Sequence, residues 1–250
     1  MKRELIWGVA GAAAGVLLAG TSAGAADLTP VPPPPPTFTW TGFELGAQVG
    51  GGADRTSVIL PPYSDSYWGS GVFGGLHVGF NYQFSSPIVV GVQAEYNFAG
   101  ITGSTSDFPL NYLSTSVREF GSVDGRLGAA FDHFLVYAIG GFAYGDIRNG
   151  INFEGFAPTV VGFPVNRFFA ANRYGFDVGG GVEYNLWGNW TVRAEYRYYD
   201  FGRLGFNDAG FGGPVSIAIP NHSSKEIMQT GRLGLTYKFD WLSTPVVAKY

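Results

Sequence analysis

From residue 40 onward, apolar and polar side chains alternate with a period of two in one segment after another. In the clearest segment, 71–84, Val72, Leu76 and Phe80 share one face, and His77 and Gln83 share the other. Because successive side chains of a strand point to opposite faces, this pattern predicts β-strands with one apolar and one polar face. We predict eight strands, at 43–51, 71–84, 88–98, 117–131, 134–145, 172–186, 190–199 and 232–239.

The connections between these segments alternate between short and long. The short ones are 85–87, 132–133 and 187–189, and the long ones are 52–70, 99–116, 146–171 and 201–223. An even number of strands, with short turns at one end and long loops at the other, is typical of an outer-membrane barrel. We therefore expect an all-β fold, an eight-stranded antiparallel up-and-down transmembrane barrel. The segment 134–145 is apolar on both faces, so alternation does not assign its sides.

Charge indicates which face is inside. Charged residues are only 14% of the chain, and nearly all those on strands lie on the polar faces. In a narrow eight-stranded lumen these charges can pair, while the apolar faces meet lipid. We favour a charge-paired plug of the lumen, and a narrow ion path lined by the same residues is the alternative. The predicted lumen residues are Glu44, His77, Glu95, Arg118, Asp124, Arg126, Arg173, Asp177, Glu183, Arg193, Glu195, Arg197 and Arg232.

Four tryptophans fall at strand ends on the side of the short turns. They are Trp40, Trp187, Trp190 and Trp241. Tryptophan favours the bilayer–water interface because its ring is apolar and its N–H needs a partner. We predict that the four form an interfacial girdle at the periplasmic rim. Both termini would then be periplasmic, and the four long loops would lie outside the cell.

The N-terminus predicts export. Lys2 and Arg3 precede an apolar run at 5–20, and Ala23-Gly24-Ala25 offers the small residues that a signal peptidase accepts. The expected organisation is a signal peptide at 1–25, a proline-rich periplasmic spacer at 26–39, a barrel at 40–241 and a C-terminal tail at 242–250. The spacer contains five consecutive prolines, which favour a stiff polyproline II segment.

Several other functions are disfavoured. A net charge of −4 argues against nucleic-acid binding, which needs clustered Lys and Arg. A barrel enzyme such as a lipid A deacylase would need a Ser–His pair at the lipid-facing surface. His77 lies on the polar face of its strand, which points into the predicted lumen, whereas His133 lies in a short turn and His222 in a long loop. We therefore expect no catalytic residues, no metal and no cofactor.

Several motifs, taken in order, resemble the small outer-membrane barrel proteins of alphaproteobacteria, the opacity-like and surface-antigen family often labelled "porin family". The motifs are 25–28 before the spacer, 38–43 at the first strand, 137–145, 179–184 and 234–241. The chain departs from the family at Glu44, where an aromatic residue is usual, and in its tail. The C-terminal segment is similar to the assembly signal of such barrels, with Arg232, Gly234, Tyr237 and Phe239 in the defining places.

The resemblance implies a structural surface protein that contributes to envelope integrity and presents its four loops to the surroundings. It also implies contact with outer-membrane lipid and lipopolysaccharide, with the barrel-assembly machinery, and association with peptidoglycan. The family label keeps open an alternative, a narrow passive channel for small solutes or ions. Oligomeric state does not follow from the sequence.

Overall fold

The computed structural model describes residues 38–60, 63–85, 87–106, 112–152, 166–206 and 222–239. The predicted signal peptide, most of the spacer, Trp241 and the tail lie outside this part of the chain. Eight strands form one closed sheet in sequence order, and the last pairs with the first. They are β1 (Gly42–Leu60), β2 (Tyr63–Gln83), β3 (Ile88–Thr105), β4 (Tyr112–Phe131), β5 (Phe134–Asn152), β6 (Asn166–Trp187), β7 (Trp190–Phe206) and β8 (His222–Phe239).

Every neighbouring pair of strands is antiparallel, which confirms the predicted eight-stranded barrel. We call the end that carries the short turns, together with the start of β1 and the end of β8, the turn end. The opposite end is the loop end. Within the described residues, no helix is long and apolar enough to cross a membrane.

The strands extend further toward the loop end than predicted. β1 and β2 pair without interruption from Gly42↔Asn81 to Leu60↔Tyr63, so nearly all of the expected loop 52–70 is a paired hairpin. Alternation continues there, with Asp54 and Thr56 buried and Arg55 exposed. The prediction stopped early because most outward residues in this region, such as Arg55, Ser64 and Ser66, are polar. Trp68, expected in that loop, lies on β2 with its side chain exposed.

A band of exposed apolar side chains surrounds the half of the barrel nearest the turn end. On β1 its last large member is Val49, and the exposed Arg55 follows. On β8 its last large member is Leu233, beyond which Gln229 and Lys225 face outward. On β5, whose sides alternation left unassigned, Leu135, Tyr137 and Ile139 point inward, whereas Phe134, Val136 and Phe142 are exposed. Large apolar side chains exposed on all strands require an apolar surrounding.

Candidate functional site: a closed, charge-filled lumen

The inward faces of the strands bring most of the predicted lumen residues together. The structure buries Glu44, His77, Glu95, Asp124, Arg126, Arg173, Asp177, Glu183, Arg193, Glu195, Arg197 and Arg232. Arg118 is the exception, because its side chain is exposed on the outer surface. The register of β4 against β5 shifts between Val117 and Glu119. This bulge reverses the alternation, so that Val117 points inward and Arg118 outward, and the prediction for Arg118 was wrong.

Arg197 of β7 is the centre of the network. Its Nη1 donates to Asp124 Oδ2 (2.5 Å) and to Asp177 Oδ2 (2.9 Å), and its Nε donates to Glu195 Oε1 (2.6 Å). Its Nη2 lies 3.3 Å from Glu95 Oε2. One guanidinium group therefore joins carboxylates from β3, β4, β6 and β7, and its side chain is 0% exposed.

Arg232 of β8 extends the network toward the loop end. Its Nη1 donates to both oxygens of Glu95, at 2.6 and 2.7 Å, and its Nη2 donates to the Tyr199 hydroxyl at 2.6 Å. Tyr199 in turn donates to Glu95 Oε1 at 3.0 Å. Glu95 thus accepts charge-assisted hydrogen bonds on both oxygens, the stronger kind of hydrogen bond.

A second group of charges lies closer to the turn end. Arg126 donates to Glu44 Oε1 at 2.5 Å and to Glu183 Oε2 at 2.8 Å, and its guanidinium lies 4.0 Å from the centre of the Tyr137 ring. Arg193 donates to Gln93 Oε1 at 2.6 Å and also to Gln48. The hydrogen bonds of both arginines cross the lumen between strands that are not neighbours in the sheet.

Inward-facing glycines make room for the large side chains of the network. A Cβ at Gly179 would lie 2.8 Å from Cγ of Arg197, and one at Gly46 would lie 2.4 Å from the His77 ring. In a barrel of eight strands the interior is just wide enough to be filled by side chains, so a larger residue at these glycines would collide with the network. The His77 Nε2 is hydrogen-bonded to the Thr236 hydroxyl at 3.0 Å.

An apolar layer closes the lumen at the turn end. It consists of Trp40, Val89, Ala130, Leu135, Tyr137 and Ile139, with Phe38 packed against it. Trp40 is 2% exposed, so our prediction that it belongs to an interfacial girdle was wrong. Its backbone N–H donates to Gln83 Oε1 at 3.0 Å, and its ring packs edge-on to Phe38. Gly42, the first residue of β1, has a φ of +153° and allows the chain to turn inward there.

The remaining girdle tryptophans differ in environment from Trp40. Trp187 and Trp190, at the β6–β7 turn, are 66% and 37% exposed on the outer surface. Trp190 packs against Tyr237, with ring centres 5.1 Å apart, and Tyr237 packs against Phe239. The four predicted assembly residues all lie on β8, where Arg232 and Gly234 face the lumen.

A second apolar layer, which we call the septum, separates the charge network from the loop end. It consists of Phe73, Ile101, Val117, Phe120, Ala143, Ile147, Tyr199, Phe201 and Met228, all buried. Phe120 lies at its centre, with ring centres 5.1 Å from Phe73 and 5.5 Å from Tyr199. The polar network is thus enclosed between two apolar layers.

Beyond the septum lies a second polar group that the sequence prediction missed, which we call the loop-end cluster. Its members are Asp54, Thr56, Tyr67, Thr115, Asn149, Arg173, Ser224 and Glu226. Only Arg173 was predicted. Asp54 shares the parity of Glu44, and Glu226 that of Arg232, so longer strands in the prediction would have identified both.

The polar side chains of the lumen are buried and packed against one another. No group of three or more metal-ligating side chains is found in the part of the chain that the structure describes. The arginines and carboxylates of the network have almost no surface accessible to water, with Arg197 at 0% and Arg193 at 1%. A continuous water path past them would leave part of their surface accessible.

Comparison with known proteins agrees with this architecture. The family described as "Outer membrane protein beta-barrel domain" matches residues 12–239. The chain belongs to this family. It is 30% identical over 239 residues to the 31 kDa outer-membrane immunogenic protein of Brucella melitensis, covering 88% of this chain and 94% of that one. It is also 31% identical to a 22 kDa outer membrane protein of Rhizobium leguminosarum, covering 68% of each chain.

Among solved structures, the outer membrane protein OprG of Pseudomonas aeruginosa matches with a TM-score of 0.45 at 14% identity, covering 80% of this chain and 97% of that one. The family model and the two relatives, outer-membrane proteins of Brucella and Rhizobium, confirm the predicted alphaproteobacterial family. Membership in an outer-membrane barrel family explains the apolar band, which faces lipid.

Proposed function

We propose that this outer-membrane barrel is a structural and surface protein that contributes to envelope integrity and presents its loop end to the surroundings. The proposal rests on one observation: the lumen is filled by paired charges and closed by an apolar layer at each side. A plug of this kind stabilises the barrel and leaves no route for solutes. The alternative, a narrow ion path along the same charges, would require both layers to open.

Planar-bilayer recording separates the two functions. We expect the purified barrel to insert without producing reproducible single-channel steps. A channel-forming porin reconstituted in the same lipid serves as the positive control. Discrete steps with an ion selectivity that changes in an Arg197→Met variant would contradict the proposal and support an ion path through the lumen.

Within the same proposal, the protein is not an enzyme. The relatives named above are outer-membrane immunogenic proteins and outer membrane proteins, and the hydroxyl group beside His77 in the described lumen, that of Thr236, is buried where a substrate cannot reach it. His77 is hydrogen-bonded to Thr236, and it is enclosed among charges that are already paired. These observations favour a structural role.

We propose that the turn end and both termini are periplasmic. Trp187 and Trp190 at that end, and the short turns, support this orientation. Because the chain contains no cysteine, single-cysteine variants can be labelled without background. Ser66→Cys at the loop end and Ser85→Cys in a short turn, both exposed, form a matched pair. A membrane-impermeant maleimide on intact cells should label only Ser66→Cys, and labelling of Ser85→Cys alone would reverse the orientation.

We further propose that lipopolysaccharide surrounds the loop end of the band. Arg55, Arg118 and Arg148 are exposed there, just beyond the apolar side chains, at the height where phosphate groups of the outer leaflet would lie. Contact with the barrel-assembly machinery through β8 and association with peptidoglycan through the N-terminal spacer complete the proposed set of partners. No contact with nucleic acid is proposed.

A further inference from the structure

The loop-end cluster contains two buried carboxyl groups on the two strands that close the barrel. Asp54 lies on β1 and Glu226 on β8, and in the register of these strands Glu226 is opposite Thr56. Asp54 is 1% exposed and Glu226 is 0% exposed. Both lie on the loop-end side of the apolar band, outside the part of the barrel that spans the membrane.

Hydrogen-bond counting at Thr56 shows that the cluster lacks one hydrogen when both carboxyl groups are ionised. The Thr56 hydroxyl oxygen lies 3.1 Å from Asp54 Oδ2, 2.7 Å from Glu226 Oε2 and 3.0 Å from the Thr115 hydroxyl. A hydroxyl group carries one hydrogen, so Thr56 can donate in only one of these three contacts.

Thr115 cannot supply the missing hydrogen. Its own hydrogen is donated to Asn149 Oδ1 at 2.8 Å, and Tyr67 lies 2.6 Å from the same Thr115 oxygen and can donate to it. The amide orientation of Asn149 is fixed because its Nδ2 donates to Glu226 Oε1 at 3.3 Å. With two ionised carboxylates, at least one carboxylate oxygen would therefore face the Thr56 oxygen with no hydrogen between them.

A proton on the carboxyl pair removes this conflict. A protonated Asp54 donates to Thr56, and Thr56 then donates to Glu226. The second oxygen of Asp54, Oδ1, is buried and has no hydrogen-bond partner among the described residues. A neutral carboxyl group tolerates this, whereas an ionised one would leave a bare, buried negative charge.

The other charged and titratable groups around the pair do not replace the proton. Arg173 of β6 is the cation that faces it, with Nη2 at 3.6 Å from Glu226 Oε1 and Nη1 donating to the Ser224 carbonyl. Tyr67 of β2 is the other titratable neighbour, and burial raises its pKa to about 12, so it stays a donor. In neighbouring register positions β3 presents Gly103 and β7 presents Leu204, which carry no charge.

The electrostatics of the pair agree with the count of hydrogens. Burial, and next the charge of Glu226, raise the pKa of Asp54 to about 8. Burial also raises the pKa of Glu226, against the opposing effect of Arg173. A single guanidinium group at 3.6 Å does not compensate two buried carboxylates.

We propose that Asp54 and Glu226 share one proton at neutral pH, and that this proton makes the closing seam between β1 and β8 a pH-sensitive element of the barrel. When the proton is lost, two negative charges face each other across the seam at the loop end. Their repulsion weakens the loop end of the seam in alkaline solution, although the backbone pairing of the two strands continues to Ile59↔Ser223.

The sign of the pH dependence follows from the protons bound in each state. Between about pH 4, where an unfolded Asp titrates, and about pH 8, the folded barrel holds the proton and the unfolded chain does not. Rising pH therefore destabilises the folded state in this window by about a factor of ten in the folding equilibrium constant per pH unit. Above the folded pKa both states have lost the proton, and this contribution becomes constant.

An Asp54→Asn variant tests the proposal, because the amide supplies the hydrogen to Thr56 at every pH. Reversible urea unfolding of the full-length barrel in phospholipid vesicles would be measured from pH 5 to 9, with Asp65→Asn in the β1–β2 hairpin as the matched control. The folding constant of the wild type divided by that of Asp54→Asn should fall about tenfold per pH unit up to about pH 8. A ratio that is independent of pH would overturn the proposal.

Infrared spectroscopy of the folded wild type provides an independent measurement if the variant does not fold. A protonated carboxylic-acid carbonyl band should be present at pH 7 and should disappear on titration through about pH 8. Glu226→Gln should remove or shift this band, and Asp65→Asn should leave it unchanged. A spectrum in which no such band titrates in the folded wild type would also overturn the proposal.

Discussion

The two polar regions of the lumen, the charge network and the loop-end cluster, differ in how their buried carboxyl groups are compensated. In the charge network, Arg126, Arg197 and Arg232 each donate hydrogen bonds to carboxylates at 2.5–2.9 Å, and each of them contacts at least two polar partners on other strands. In the loop-end cluster, one arginine stands 3.6 Å from one of two carboxyl groups. The charge network therefore depends on fixed guanidinium groups, whereas the loop-end cluster depends on a proton.

Position along the barrel explains this difference. The network lies within the part surrounded by lipid, where water cannot enter to compensate an unpaired charge, so permanent cations are needed. The loop-end cluster lies beyond the apolar band and the septum, nearer to the aqueous phase. A proton can reach it, and burying a neutral carboxyl group costs much less free energy than burying an ionised one.

Removal of Arg197 should produce the largest loss in the free energy of unfolding. Arg197→Met leaves four carboxylates from β3, β4, β6 and β7 without their shared cation, and an uncompensated buried charge costs about 3–5 kcal/mol. Urea unfolding in vesicles, or the temperature at which the folded form converts to the unfolded form on electrophoresis, measures the loss. Arg118→Met, on the exposed outer surface, is the matched control and should change stability by less than about 0.5 kcal/mol. Equal losses in both variants would refute the assigned role of Arg197.

A substitution in the septum, the boundary between the two regions, should have a smaller effect on stability. Phe120→Ala removes the ring at the centre of the septum and should destabilise the barrel by about 3 kcal/mol, since the cavity cannot collapse between rigid strands. Val123→Ala on the same strand changes a lipid-facing side chain and serves as the control. Because the septum separates the two polar groups, Phe120→Ala should also speed hydrogen exchange of the Arg197 side chain. An unchanged exchange rate would show that Phe120 does not seal the network.

The sequence predicted the number of strands, their order and the inward position of the network, since these follow from alternation and turn length. Two kinds of feature escaped prediction for physical reasons. The bulge at Val117/Glu119 reverses the side of Arg118, and it is set by the pairing of β4 with β5 rather than by any residue pattern. Trp40 follows the chain into the lumen because of contacts with Gln83 and Phe38, which are distant in sequence or outside the strands.

The extent of the strands escaped prediction for a different reason. Beyond the apolar band most outward side chains are polar and the inward face mixes polar and apolar residues, so alternation in hydropathy disappears while the pairing of backbones continues. Asp54 and Glu226 lie in that region and were therefore missed, although both have the parity of the lumen. The loop-end cluster could have been found only by assuming strands longer than the membrane requires.

Of the three substitutions, Arg173→Met should lower the free energy of unfolding least. It tests directly whether the loop-end cluster depends on its arginine less than the charge network does. Arg173→Met also deletes a buried guanidinium group, but Glu226 and Asp54 can take up protons in its place, so the expected loss at pH 6 is only about 1 kcal/mol. Without the cation, the pKa of Glu226 rises further, because the charge of Arg173 is the largest of the influences that lower it. The loss should therefore grow as the pH increases from 6 to 8, whereas the loss in Arg197→Met should be large at both values.

Urea unfolding of both variants at the two pH values measures this contrast. If Arg173→Met were as damaging as Arg197→Met at pH 6, the loop-end cluster would depend on its arginine just as the network does, and the distinction between the two regions would fail.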